Sequence, residues 1–199
     1  MDISYKIEIA NSYKFFGECF YYPDKNQLKL INNYDKKLPQ NLVNLRTSLG
    51  DEKELQIDFS RLFLGPFKVL APPYGSVYLE EGRTTQGEST LDVIRLYQED
   101  DLKVDLKESA DHIAIELEFM YYLASKEIEA IESNDLEGAG LYFEKQYSFI
   151  QRHLSKWVPE FTDLIISNAK VEFYKKIAIA LNLMIKHKLE NIKIVKENN

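Results

Sequence analysis

The stretch SADHIAIELEFMYYLASKEIEAIE, residues 109–132, carries the argument for the fold. Ile113, Leu117, Met120 and Ala124 recur at three- and four-residue steps, and Ile115, Phe119 and Tyr122 draw a second apolar line beside them. A helix with two apolar stripes buries two of its sides, so the spacing predicts a helix from Ser109 to about Glu132 at the centre of a bundle. Ser109 fits a cap, and Asp111 would sit at the positive end of the helix dipole.

Working outward, the same period dominates. Ile9, Tyr13, Phe16 and Phe20 predict a first helix from Ile3 to Tyr22, stopped by Pro23. Short helices are expected around Leu28 and from Pro39 to Leu49, with Gly50 as a stop. Asp51, with Glu54 three residues on, caps a helix bearing Leu55, Phe59 and Leu62 and ending at Gly65-Pro66. Further helices are read from Ser89 or Thr90 to Gln98 (Val93, Tyr97), from Gly138 to Lys156 (Phe143, Tyr147, Ile150, Leu154), and through Val171, Tyr174, Ala178, Leu181, Ile185 and Leu189. Pro159 is read as a turn before Phe161, and Asp100 to Lys107 as a charged connection. No stretch alternates with period two, so the class is all-α: one helical domain over residues 1–199. Its irregular part is the segment from Pro66 to Glu88, where Pro72, Pro73, Gly75, Gly82 and Gly87 interleave with Tyr74, Val77, Tyr78 and Leu79. Long loops of this kind are often binding loops.

Composition narrows the function. With 32 acidic against 25 basic side chains the formal charge is −7, which repels a phosphate backbone and argues against nucleic acid as a partner. The single cysteine, Cys19, cannot make an internal disulfide and is read as a buried thiol. Residues Met1 to Ala10 lack the pattern of an export signal, and the apolar run Ile177–Ile185 is too short to span a bilayer; a cytoplasmic protein without stable membrane insertion is expected. Three histidines, His112, His153 and His187, with no HExxH and no cysteine cluster, make a poor metal set, and GxSxG, Walker and GxGxxG motifs are missing. Neither catalysis nor a bound cofactor or metal is expected.

Asp111-His112 is the pair that most invites a chemical role. Neighbours on a helix project about 100° apart, so Asp111 is badly placed to orient the His112 ring. His112 shares a face with Glu108 and Glu116, four residues to either side, which would hold it as a cation. The plainer reading is helix-start chemistry. Likewise His153, sharing a face with Ile150 and Trp157, reads as a satisfied core histidine, Tyr74 and Tyr78 as aromatics beneath a loop, and Glu80-Glu81 as a solvated charge run.

Five segments together resemble one family. RLFLGP (61–66), APPYGSVYL (71–79), GEST (87–90), ESADHIAIELEFMYYL (108–123) and HLSKWVPEF (153–161) are similar, in that order and at similar separations, to the signature of the TorD/DmsD redox-enzyme maturation chaperones. The resemblance implies an all-helical, non-enzymatic protein, monomer or homodimer. It would bind the twin-arginine signal peptide, and the mature region, of a molybdopterin-containing oxidoreductase precursor until cofactor insertion is complete. It also implies peptide binding by the acidic-histidine motif (Glu108, Asp111, His112) and by the loop of Pro72, Pro73 and Tyr74. The sequence departs from the family pattern at Ser109, often proline, and at Gly75, often larger. A receptor for two guanidinium groups and an apolar segment needs carboxylates beside an apolar groove. Asp100, Asp101, Glu108 and Asp111 are candidates for the first; Tyr74, Val77, Tyr78 and Trp157 for the second. Alternatives are a NarJ-like assembly factor for a non-exported subunit and a small-ligand or nucleotide-binding protein.

Overall fold

The computed structural model describes residues 2–46, 48–65, 68–82, 85–102 and 108–197, with side chains to residue 190. Ten helices are named in chain order: α1 Ile3–Cys19, α2 Lys25–Asn32, α3 Gln40–Arg46, α4 Glu52–Phe59, α5 Ser76–Leu79, α6 Glu88–Gln98, α7 Ile113–Glu132, α8 Leu136–Phe149, α9 Ser155–Asn168 and α10 Glu172–Glu197. No strand occurs among the described residues, and the all-α expectation holds. The chain positions Pro66 and Lys103–Lys107, read above as a helix end and a charged connection, lie outside the described residues.

The two-stripe helix takes the central place its pattern demands. α7 packs on α1 along one side and on α8 along the other, while α9 lies on α10 and supports the single turn of α5. Ile113, Leu117, Met120 and Ala124 are buried, as are Ile115 and Phe119 of the second stripe. Gly17 sets the closeness of the α1–α7 crossing: a Cβ there would stand 3.3 Å from the Ala114 carbonyl oxygen and 3.7 Å from Glu118 Cγ.

Several boundaries differ from the sequence reading, each for a local reason. α1 ends at Cys19 rather than Tyr22, with Phe20 as its C-cap donating to the Gly17 carbonyl. α7 begins at Ile113, not Ser109. His112 is extended (φ −67°, ψ 136°) and its Nδ1 accepts from the Ala114 N–H at 3.2 Å, so the histidine is the cap, while the Ser109 hydroxyl donates to Asp111. Pro159 makes no turn; it lies inside α9. The helical chain is continuous from α8 to α9 through a π-helical turn, Ile150–Leu154, and α4 ends in a second one, Ser60–Leu64. Asp51 does cap α4, accepting from the Lys53 and Glu54 N–H groups.

An aromatic cluster closes the core where α1, α4, α9 and α10 meet. Phe59 and Phe63 lie 4.9 Å apart edge to face, Phe63 and Tyr174 5.8 Å, and Phe20 and Phe161 5.5 Å. Cys19 is buried there as expected, and burial pushes its thiol well above the usual range.

Candidate functional site

Residues 71–76 of the irregular segment are tied to the helices around them. Its Ala71 N–H donates to the Leu62 carbonyl (2.8 Å), and the Ile113 N–H donates to the Pro73 carbonyl (2.8 Å). The Gly75 N–H reaches the Asp111 carbonyl at 2.9 Å, closing an antiparallel bridge between Tyr74 and His112. Asp111 fastens the same joint with its side chain: Oδ2 accepts from the Ser76 N–H at 2.8 Å, and the other oxygen takes the Ser109 hydroxyl. At 1% exposure, Asp111 is an internal brace rather than a surface carboxylate. Asp100 is committed as well, to Lys145 at 2.6 Å, which leaves Asp101 and Glu108 as the exposed acids among the four candidates.

Beneath the joint lies a fully buried carboxyl group. Glu116 Oε2 accepts from Trp157 Nε1 at 3.1 Å, while Oε1 has no hydrogen-bond partner. Burial drives the Glu116 carboxyl well above the usual range and favours its protonated form; the Trp157 bond opposes this and Asp111 adds to it. Gly75 packs closely on this pair: a Cβ there would stand 3.1 Å from Trp157 Nε1 and 3.3 Å from Glu116 Oε1, so a larger residue would require those side chains to shift by a few tenths of an ångström. Trp157 itself is wholly buried, with Tyr78 stacked on it at 5.6 Å and the Tyr78 hydroxyl held by the Pro72 carbonyl at 2.8 Å. The expectation that Trp157 lines an open groove is therefore corrected: it supports the loop from within.

His112 is also corrected. Rather than a cation between Glu108 and Glu116, it is a buried ring whose pKa burial pushes down to about 4, against the opposing pull of Glu108 and Asp111. A neutral ring fits its Nδ1, which accepts a hydrogen bond. His153 is buried, as the plainer reading had it, with Nε2 3.1 Å from Asp92, a carboxylate it shares with Arg152, but it is not fully satisfied, since Nδ1 has no hydrogen-bond partner among the described residues.

Above these supports two half-buried tyrosines flank the buried His112 ring. Tyr21 stacks on His112 (6.3 Å, 15° between planes), and Tyr74 meets the other side edge to face at 5.2 Å. Tyr74 donates its hydroxyl to Glu108 at 3.0 Å, and burial with Glu108 raises that phenol to about 12. Lys14 bridges Glu18 (2.9 Å) and Glu118 (3.0 Å), and both acids act on the Tyr21 phenol, which is raised chiefly by burial. Glu18 and Glu118 thus share the Lys14 ammonium while Glu108 accepts the Tyr74 hydroxyl, and carboxylates beside half-buried aromatic faces suit a guanidinium group. Tyr21, Glu18 and Glu118 were not singled out in the sequence, because the close crossing at Gly17 that brings them to the α7 start has no periodic signature. Among the described residues no group of three or more His, Cys, Asp or Glu could hold a metal, and no helix is long and apolar enough to cross a membrane.

Comparison with known proteins assigns this architecture. The family model described as nitrate reductase delta subunit matches residues 31–163. The Chaperone protein TorD of Vibrio parahaemolyticus is 32% identical over 149 residues, which span 72% of this chain and 68% of that protein. The chain belongs to the TorD family. Another TorD relative, from Vibrio atlanticus, is 37% identical over 122 residues, covering 60% of this chain and 55% of the relative. A putative redox enzyme maturation protein from Archaeoglobus fulgidus superposes with a TM-score of 0.60 at 25% identity, over 89% of this chain and 93% of that one. The TorD relatives are named as chaperones, and the chain is placed with them as a non-enzyme.

Proposed function

We propose that this TorD-family chain is a cytoplasmic chaperone that holds the twin-arginine signal peptide of a molybdopterin-dependent oxidoreductase precursor during cofactor insertion and before export. The peptide's guanidinium groups meet Glu108 and Glu118 beside the Tyr21 and Tyr74 rings, and its apolar segment runs over Pro72, Tyr74 and Tyr78. Pro73, Asp111, His112 and Trp157 hold that surface in shape from beneath. The observation that carries this reading is the pair of half-buried tyrosines about His112, flanked by Glu108 on one side and by Glu18 and Glu118, which share Lys14, on the other. Charge-assisted contacts to guanidinium are among the stronger polar interactions available.

Amide hydrogen exchange of residues 68–82 and 108–118, with and without a saturating twin-arginine peptide, tests the placement. Protection in both segments, weakened in Tyr74→Ala, is expected; unchanged exchange in both refutes the site. The family model's description favours a second reading, in which the client is a non-exported subunit related to nitrate reductase. In that case a peptide from the mature protein, and not the twin-arginine peptide, gives the protection.

A further inference from the structure

A second concavity lies between α1, α3 and α10, and none of its lining residues belongs to the site above. It measures about 440 Å³, within the roughly 300–1,000 Å³ usual for small-molecule sites. Ile9, Phe16, Leu42 and Met184 give it apolar walls, while Tyr5 and Lys188 stand among its polar groups.

Charge makes this pocket unusual for so acidic a chain. Lys188 Nζ lies 5.8 Å from the centre of the Tyr5 ring and has no hydrogen bond or ion pair among the described residues. The acid near it is already engaged. Glu127, the acid that acts on it, takes Lys6 on one oxygen and Gln146 on the other, the latter at 2.8 Å. Burial, and the like charge of Lys6, push the Lys188 ammonium down to about 8, against a weaker pull from Glu127. A half-buried cation without a counter-ion costs stability that an anionic group brought beside it returns. On the rim Tyr5 is 40% exposed and Leu183 60%, an apolar margin open to solvent.

We propose that this pocket binds a small amphiphilic anion, a carboxylate on an apolar chain or ring, with the anionic head at Lys188 and the apolar body between Phe16, Leu42 and Met184. The occupant follows from complementarity: apolar walls exclude a strongly hydrated anion, and an unpaired ammonium discriminates against a neutral hydrocarbon. This binding is separate from peptide holding and does not require that reading to be correct.

Titration calorimetry with decanoate and decanol tests it on the full chain. Decanoate is expected to bind one per chain at least tenfold more tightly than decanol. Lys188→Met should remove that preference while keeping decanol binding. Ala180→Trp, which fills the pocket, should abolish both, and Tyr74→Ala should leave both intact. Equal affinity of the two probes for the parent chain overturns the proposal, as does an undiminished decanoate affinity in Lys188→Met or Ala180→Trp. Sedimentation showing a stable dimer that Leu183→Glu dissociates would assign this face to a second copy and overturn it too.

Discussion

Replacing Glu116 by glutamine should change how the stability of this protein responds to pH. In the folded chain the Glu116 carboxyl is held well above its ordinary value by burial, and His112 is held at about 4, also by burial. The two act in opposite directions. A raised carboxyl keeps its proton in the folded state while the unfolded chain loses it, so its contribution is full below the ordinary carboxyl pKa and declines as pH rises above it. A depressed histidine stays neutral in the folded state while the unfolded ring takes up a proton, so its contribution is present above about 6.5 and is lost as pH falls toward 4. Between pH 5 and 6 the two slopes oppose each other in the parent. One proton of difference is worth about 1.4 kcal/mol per pH unit. Glu116→Gln keeps the shape and an acceptor for Trp157 Nε1 but removes the titration. The variant should therefore gain stability relative to the parent on going from pH 5 to pH 6, by at most about 1.4 kcal/mol. Urea unfolding of both proteins at the two pH values measures it. A constant difference between parent and variant would refute the buried, raised Glu116.

Two further outcomes test the frame. Leu117 is fully buried on the central helix, so Leu117→Ala should cost roughly 2–5 kcal/mol in chemical denaturation, and a cost below about 1 would remove α7 from the centre of the core. Asp58 Oδ2 accepts from both the Lys170 and Val171 N–H groups at 2.8 Å just ahead of α10, so Asp58→Ala should cost about 3 kcal/mol, chiefly by orphaning those donors, and a neutral effect would show that α10 begins without this cap.

Much of the scaffold is legible in the sequence because periodicity reports burial directly. The two stripes of 113–124 appear in the structure as the two buried sides of α7, and Asp51 caps α4 where its spacing to Glu54 says it should. Features that depend on long-range contacts are not legible. Ser109 is the better intrinsic cap, yet the bridge from Pro73 to Ile113 holds His112 extended and starts the helix there. Pro159 reads as a break, but the π-helical turn ahead of it lets the chain carry a proline inside a continuous helical run. In the site, Tyr74, Glu108 and His112 are found from their motif, whereas Tyr21 and Glu118 arrive through the crossing at Gly17, which only packing reveals. Burial also changed the expected chemistry: Asp111 and Trp157, taken as contacts for a ligand, are internal supports.

The central claim is that the Tyr21 and Tyr74 rings and the carboxylates beside them receive arginine. Titration calorimetry of the parent chain and Glu108→Gln with a twin-arginine signal peptide and its Lys-Lys variant tests this most directly. The parent should bind the arginine peptide at least tenfold more tightly than the lysine variant, because a planar guanidinium can bond a carboxylate bidentately and stack on tyrosine. Glu108→Gln should weaken arginine-peptide binding by roughly 1.5–3 kcal/mol while leaving the melting temperature unchanged. Equal affinity of the parent for both peptides, together with an unaltered affinity in Glu108→Gln, would contradict the account.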